Sequence, residues 1–229
     1  MLQRVIEPEL LDSDSGTPAE VRAALADLRW VNRCFGGVRT SRKLLQQVAQ
    51  RTGKRCLTLL DVAAASGDVS SLAAAELARQ GIQVQVTLLD RATTHLPRDG
   101  HPALAADALH LPFGDNTFDV VACSLFVHHL EPPQVGEFAN EALRVARIAV
   151  LINDLRRSAL HLALVYAGRP LFRSQMAWGD GVKSVRRAYT QAELAVLLRT
   201  RAADVEISNH YLFRMAATIW KALPVTARG

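Results

Sequence analysis

The sequence predicts an α/β fold: a doubly wound, mostly parallel sheet with helices on both faces. Three observations lead there. Short apolar runs of strand length alternate with helix-periodic segments from residue 56 onward. Several of those runs close on an acidic or small residue, which suits strands whose carboxyl ends meet a ligand. The composition, 49% hydrophobic and 21% charged, supports a sizeable core, and no apolar run is long enough for a membrane-spanning helix.

The elements follow in order. Thr17-Pro18-Ala19-Glu20 is a capping box with proline at the first helical position, so a helix runs from there to about Cys34, where Gly36-Gly37 stops it. Thr40 or Ser41 opens a second helix that ends near Gly53. These two helices form an expected N-terminal cap, residues 1–55, ahead of a core domain over residues 56–229. Cys56 to Asp61 is the first strand, and Val69 to Gln80 an alanine-rich helix closed by Gly81. Val84 to Leu89 is the second strand, ending at Asp90. Pro102 to Ala106 is a short third, and Phe118 to Ser124 a fourth. After a helix over Gln134 to Val145, Ile148 to Ile152 is the fifth, ending at Asn153-Asp154. A further helix follows Asp154. The Gly-, Pro- and Arg-bearing stretch at 168–188 reads as a substrate lid, since Phe172, Met176 and Trp178 give it an apolar side. Thr190-Gln191-Ala192-Glu193 is another capping box. Val205 to Ile207 and Tyr211 to Phe213 are strand candidates that extend the sheet at one edge.

Charge and cysteines narrow the function. Lys plus Arg is 27 against 22 for Asp plus Glu, a net +5. The excess concentrates between Arg29 and Arg55, a stretch without acids, and between Leu155 and Arg201. Such surfaces attract anionic substrates, anionic lipid or nucleic acid, or are simply solvated helix faces. Peripheral membrane contact stays open on this basis. Three cysteines without a close pair point to a reducing, cytoplasmic setting rather than a disulfide framework or zinc ribbon. The first residues lack the apolar core of a secretion signal.

The strand tips carry the chemistry. Asp61-Val62-Ala63-Ala64-Ala65-Ser66-Gly67-Asp68 is a tight small-residue turn into a helix, where backbone can approach a ligand and free N–H groups face it. Asp90, at the second tip, suits two adjacent ribose hydroxyls. A dinucleotide fingerprint would need glycines where this chain has alanines. An acid at the head of the turn also suits a cationic ligand better than a pyrophosphate.

With Leu89-Asp90-Arg91-Ala92, Ala106-Asp107-Ala108-Leu109-His110-Leu111-Pro112-Phe113 and Asn116-Thr117-Phe118-Asp119-Val120-Val121, this turn resembles class I S-adenosylmethionine-dependent methyltransferases of the type 11 group, across residues 56–154. The resemblance implies a Rossmann-like, seven-stranded, mostly parallel sheet with an antiparallel edge strand. It implies that Asp61, Ala63, Ala65 and Gly67 line the amino-acid end of the cofactor, S-adenosylmethionine. Asp90 would hold its ribose, Arg91, Asp107 and Ala108 its adenine, and Ser124 and Leu125 its methionine portion. The chain departs from the family at Ala63 and Ala65, where the family has glycine. If those residues adopt positive φ, the turn is strained.

The implied activity is methyl transfer to a small molecule, expected at oxygen of an aromatic or polyketide-like metabolite, as in secondary metabolism. An RNA or protein methyltransferase, or a cofactor-binding protein without turnover, are the alternatives. Nucleic acid is disfavoured because no appended binding module and no Asn-Pro-Pro-Tyr-like turn follows strand four. His128, His129 and Asp154 are the candidate catalytic residues: imidazole titrates near neutrality, and both groups follow strand ends. Capping of the next helix is the plainer role for Asp154. Arg156, Arg157, Arg186, Met176 and Trp178 are expected at the substrate, and Arg39 at the cofactor carboxylate. No ligand cluster of metal-binding spacing stands out, so no metal is expected.

Overall fold

A computed structural model describes residues 2–13, 16–97, 100–199 and 203–222. Arg201, which closes the second basic stretch, and the last residues of the expected core domain lie outside them. Two helices, α1 (Pro18–Cys34) and α2 (Gly37–Thr52), precede β1 (Cys56–Val62), α3 (Asp68–Ala78), β2 (Gln83–Asp90), β3 (Ala103–Ala105) and β4 (Phe118–Ser124). Then come α4 (Pro132–Val145), β5 (Ala146–Leu155), α5 (Ala159–Ala167), α6 (Gln175–Arg187) and α7 (Gln191–Leu197). A hairpin of β6 (Ala203–His210) and β7 (Arg214–Lys221) ends the fold.

The sheet has seven strands in the order β3-β2-β1-β4-β5-β7-β6. β1 to β5 pair in parallel, while β7 runs antiparallel between β5 and β6. The order reverses between β1 and β4, which puts the switch point, and so the expected ligand crevice, at their carboxyl ends. Both faces of the central strands are buried. Leu60 and Val62 join Phe138, Ile152 and Ile219 in one core, and Leu57 and Leu59 join Leu45, Val48, Leu77 and Leu151 in the other. The period-2 alternation of strand side chains makes one strand serve two layers.

One sequence expectation changes. Tyr211 to Phe213 is the β6–β7 turn rather than a strand, with Leu212 and Phe213 at φ 46° and 65°. The aromatic and apolar residues there gave a strand propensity that the turn overrides. The strand itself begins at Arg214, and Met215 to Trp220 are all buried. Within the expected cap, Leu44, Leu45, Val48 and Ala49 of α2 pack into the sheet's own core. The start of α2 meets the carboxyl ends of β4 and β5, where the Asn153 amide donates to Gly37 O and Ser41 Oγ. The lid segment is largely helix: Ser174 caps α6, its hydroxyl accepting the Ala177 N–H.

The extended strap at residues 2–10 is pinned along its length. The Val5 N–H donates to Arg186 O, and the Arg4 guanidinium donates to Arg187 O and Leu130 O. Asp180, buried in α6, accepts the N–H groups of Leu10 and Leu11 at 2.9 and 3.0 Å.

Three basic residues of the stretch between Arg29 and Arg55 meet acids from elsewhere. Arg42 pairs with Glu76 at 3.2 Å, Lys54 with Asp119 at 2.7 Å, and Arg51 with Glu206 at 3.0 Å while lying over Trp220. No described helix is long and apolar enough to cross a membrane.

Candidate active site

β1 ends on Asp61, fully enclosed, and the chain then turns through Ala63 to Gly67 into α3. Ala63 and Ala65 both take positive φ, 53° and 47°. The family's glycines are thus replaced where they matter, and each alanine carries a left-handed penalty of about 1 kcal/mol. Gly67, at φ 68°, has no substitute: a Cβ there would lie 2.5 Å from Leu88 Cδ1. Two bonds hold the turn. The Ala64 N–H donates to Leu89 O, and the Ala65 N–H donates to Asp90 Oδ2 at 2.8 Å. Asp90 Oδ1 accepts the Ala92 N–H at 2.9 Å, so this carboxylate fixes two strand ends and keeps lone pairs toward the crevice.

Asp61, Asp90 and Asp107 line one cavity of about 600 Å³, together with Ala63, Ala65, Arg91, Ala108, Ser124 and Leu125. Burial, then the nearby Asp68 and Asp90 charges, push Asp61 up to about 7, with the Ser70 hydroxyl partly offsetting them. Asp68 Oδ2 is buried without a hydrogen-bond partner and lines the same cavity. Three carboxylates around a partly buried space fit a ligand with a cationic end, which they would stabilise most strongly where solvent is excluded. Asp107 differs: it is exposed, and the Leu109 N–H at 3.0 Å, then His110 and Arg91, hold its carboxyl below the usual range. Leu125, at φ 54°, re-aims the chain after β4.

The other half of the cavity is walled by α1 (Leu28, Val31), by Val165 and Phe172, and by α6 through Ala177, Gly181 and Val185. Arg214, at the start of β7, reaches this wall although it is only 1% exposed. Its Nη2 donates to Asn32 Oδ1 at 2.8 Å, while Nη1 has no hydrogen-bond partner. Burial lowers its pKa to about 10, with Asp154 opposing, so it remains a cation at neutral pH. His161 lines the same space. Burial and the neighbouring Arg214 and Arg156 lower it to about 4, while Arg156 O, facing Nδ1 at 3.2 Å, opposes.

The three catalytic candidates form a cluster with a different logic from the expected one. Asp154 is not a helix cap: β5 continues through Leu155, and Ser158 caps α5 instead. Its carboxylate accepts the His128 N–H at 3.0 Å and meets His128 Nδ1 at 2.7 Å. Burial alone would depress His128, but Asp154 and then Glu9 raise it to about 10. An imidazolium at neutral pH cannot accept a proton, so His128 is no general base there. Burial pushes the Asp154 and Glu9 carboxyls up, yet His128 brings both below the usual range. His129 Nδ1 meets Asp12 Oδ2 at 2.8 Å.

Several expected substrate contacts are engaged elsewhere. Arg157 is buried against main chain, donating to Leu2 O and Ala188 O and pairing with Glu193. Arg186 pairs with Glu7 at 2.9 Å. The Trp178 indole donates to Val165 O, and Met176 packs on Gly16. Arg156 lies over Phe213, and Arg39 is exposed, 5.9 Å from the centre of the Tyr211 ring. None of these six lines the cavity. Arg187, expected beside Arg186 at a substrate carboxylate, does line it, as do Glu9, Asp12, Asp68 and Arg214, to which the sequence gave no role. A lone arginine at the start of a buried strand was the only signal for Arg214.

Residues 60–149 match the methyltransferase domain family Methyltransf_11. That stretch is a type 11 methyltransferase domain. The ubiquinone/menaquinone biosynthesis C-methyltransferase of Roseobacter denitrificans is 36% identical over 115 residues, which is 45% of this chain and 42% of that protein. Its counterpart from a Ruegeria species matches to the same extent. The match therefore spans less than half the length of these curated relatives. Among solved structures, the plantazolicin methyltransferase BpumL in complex with S-adenosylhomocysteine superposes with a TM-score of 0.69 at 11% identity, covering 93% of this chain and 94% of that one. A methyltransferase from Aquifex aeolicus gives 0.59 at 15% identity, covering 89% and 98%. The fold is that of class I enzymes that use S-adenosylmethionine.

Proposed function

We propose that the protein transfers a methyl group from S-adenosylmethionine to oxygen of a small aromatic or polyketide-like acceptor that presents a phenolate or enolate. One observation carries this reading: a single cavity is lined both by the carboxylates Asp61, Asp68 and Asp90 and by apolar side chains of α1 and α6 with the buried Arg214 cation. Bound there, S-adenosylmethionine supplies a methyl carbon activated by its sulfonium. Asp61 and Asp68 would face the ammonium, Asp90 the ribose hydroxyls, and Asp107 with the Ala108 N–H the base. The Arg214 guanidinium favours the ionised acceptor and holds its oxygen in line, so deprotonation does not rest on a strong basic side chain. His161, neutral, would accept a hydrogen bond from the hydroxyl before it ionises. The apolar walls from α1 and α6 exclude competing water.

A second reading, methylation at ring carbon of the same phenolate, is favoured by the C-methyltransferase relatives. Calorimetric titration with S-adenosylhomocysteine, followed by incubation of phenols and polyketide-like acceptors with methyl-labelled cofactor, tests both. The expected product carries an O-methyl resonance, and Arg214→Met abolishes turnover while retaining cofactor binding. A C-methyl resonance selects the second reading. Absence of cofactor binding overturns both.

A further inference from the structure

We infer that Glu9, His128 and His129 form a binding site for a divalent transition-metal ion on the wall of the cavity. Their ligand atoms all lie within 4.8 Å of one another. His128 Nε2 and His129 Nε2 both point at the same oxygen, Glu9 Oε1, at 3.5 and 3.9 Å. Ligand atoms around a bound zinc-like ion sit about 3 to 3.5 Å apart, so a small inward shift of the partly exposed His129 completes the shell.

The orientation of each group separates this cluster from a chance ion pair. Behind His128, Asp154 holds Nδ1 at 2.7 Å, and behind His129, Asp12 holds Nδ1 at 2.8 Å. Ionised carboxylates only accept hydrogen bonds, so each Nδ1 carries a proton. That arrangement, carboxylate to imidazole to a shared point, is how proteins orient metal-bound histidines. Glu9 is held in its turn, with Oε1 accepting the Ser184 hydroxyl at 2.8 Å. His128 Nε2 is buried in a residue only 2% exposed, and it has no hydrogen-bond partner. It meets Glu9 Oε1 only as an ion-pair contact at 3.5 Å, aimed at the shared point.

Charge leads to the same assignment. Three carboxylates, Glu9, Asp12 and Asp154, surround two imidazoles. Arg187 and Arg214 offset part of that charge, and a divalent ion would take the place of the proton on His128 Nε2, between Glu9 and Asp154, leaving both histidines neutral. Two imidazoles and one carboxylate suit zinc, iron, cobalt or nickel better than magnesium or calcium. All three ligands line the cavity, so the open coordination positions face the acceptor end. An ion there would hold an acceptor oxygen without any further protein ligand. The site does not depend on methyl transfer: it stands on the side chains alone.

The test is titration of the full-length protein, stripped with chelator and dialysed, with cobalt(II) chloride alone. Ligand-field absorption and calorimetry read the binding, and the circular-dichroism melting curve certifies the fold of each variant. The expected result is one equivalent of cobalt with a visible ligand-field band. Glu9→Gln and His129→Gln should each weaken it by roughly tenfold or more, and Asp12→Asn by less. These sites are less enclosed than His128, whose replacement endangers folding. The proposal is overturned if the wild type takes up no stoichiometric ion, or if binding survives in both Glu9→Gln and His129→Gln. It is equally overturned by a near-ultraviolet thiolate band, which would place the ion on the exposed Cys34 or Cys56. Cobalt binding without S-adenosylhomocysteine binding would count against the methyltransferase reading only.

Discussion

The two ends of the cavity are built in opposite ways. The cofactor end comes from consecutive strand tips, and each of its acids lies within a few residues of the strand that aims it. The acceptor end is assembled from the strap, α1, α5, α6 and the first residue of β7, and its contacts join residues as far apart as Arg4 and Arg187. Local design makes the first end readable from spacing. Long-range design makes the second depend on the whole fold being in place.

The largest test of that contrast is Asp90→Ala. It removes the acceptor of the Ala65 and Ala92 N–H groups and the ribose partner together, so S-adenosylhomocysteine affinity should drop about a hundredfold, or 2–3 kcal/mol, by calorimetry. An unchanged affinity would detach the ribose from β2. At the other end, Arg157→Met should cost about 2 kcal/mol of stability in denaturant unfolding, since two main-chain carbonyls lose their donor. Cofactor affinity should stay as it was. A loss of affinity instead would show that the two ends are coupled.

Asp61 sharpens the comparison through pH. Its folded value, about 7, is raised above the ordinary 3.8. Its contribution to the stability of the ligand-free protein is therefore complete below about pH 4 and is lost as pH rises through about 7. Affinity for a ligand that brings an ammonium runs the other way. It should climb by up to tenfold per unit as pH approaches about 7, because the carboxylate must ionise to pair with the cation. Asp61→Asn should flatten both profiles, in melting temperature and in calorimetry. The smallest expected effect is a gain. Ala63→Gly and Ala65→Gly should each stabilise by roughly 0.5–1 kcal/mol, read as a rise in melting temperature, because both residues hold positive φ. No gain would mean the turn carries less strain than its dihedrals imply.

What the sequence disclosed follows the same division. Cys56 to Asp61 is an apolar run closing on an acid and a small-residue turn, a signal contained in a dozen residues, and the sheet and the grouping of Asp61, Asp90 and Asp107 followed from such signals. Asp154 was half legible: its place at a strand end was visible, but its partner, His128, lies 26 residues away, just past the end of the neighbouring strand β4. Arg157 and Arg186 looked alike in sequence. Only packing shows that one is buried against carbonyls and the other paired with Glu7. Tyr211 to Phe213 had strand composition, yet the hairpin needed its turn there, so that Met215 could face the core. Glu9 and Asp12 gave no signal at all, because nothing local distinguishes an acid on a strap from an acid in solvent.

The strap also imposes an order on the birth of the molecule. Ribosomes release the amino end first, but Arg4 and Val5 find acceptors on residues 130, 186 and 187, and Leu10 and Leu11 on Asp180. A nascent chain can close β1 to β4 while its opening segment still waits. The pocket wall forms only when α6 has emerged, so a polypeptide stalled before that point would carry strand tips ready for cofactor and no chamber for anything to be modified.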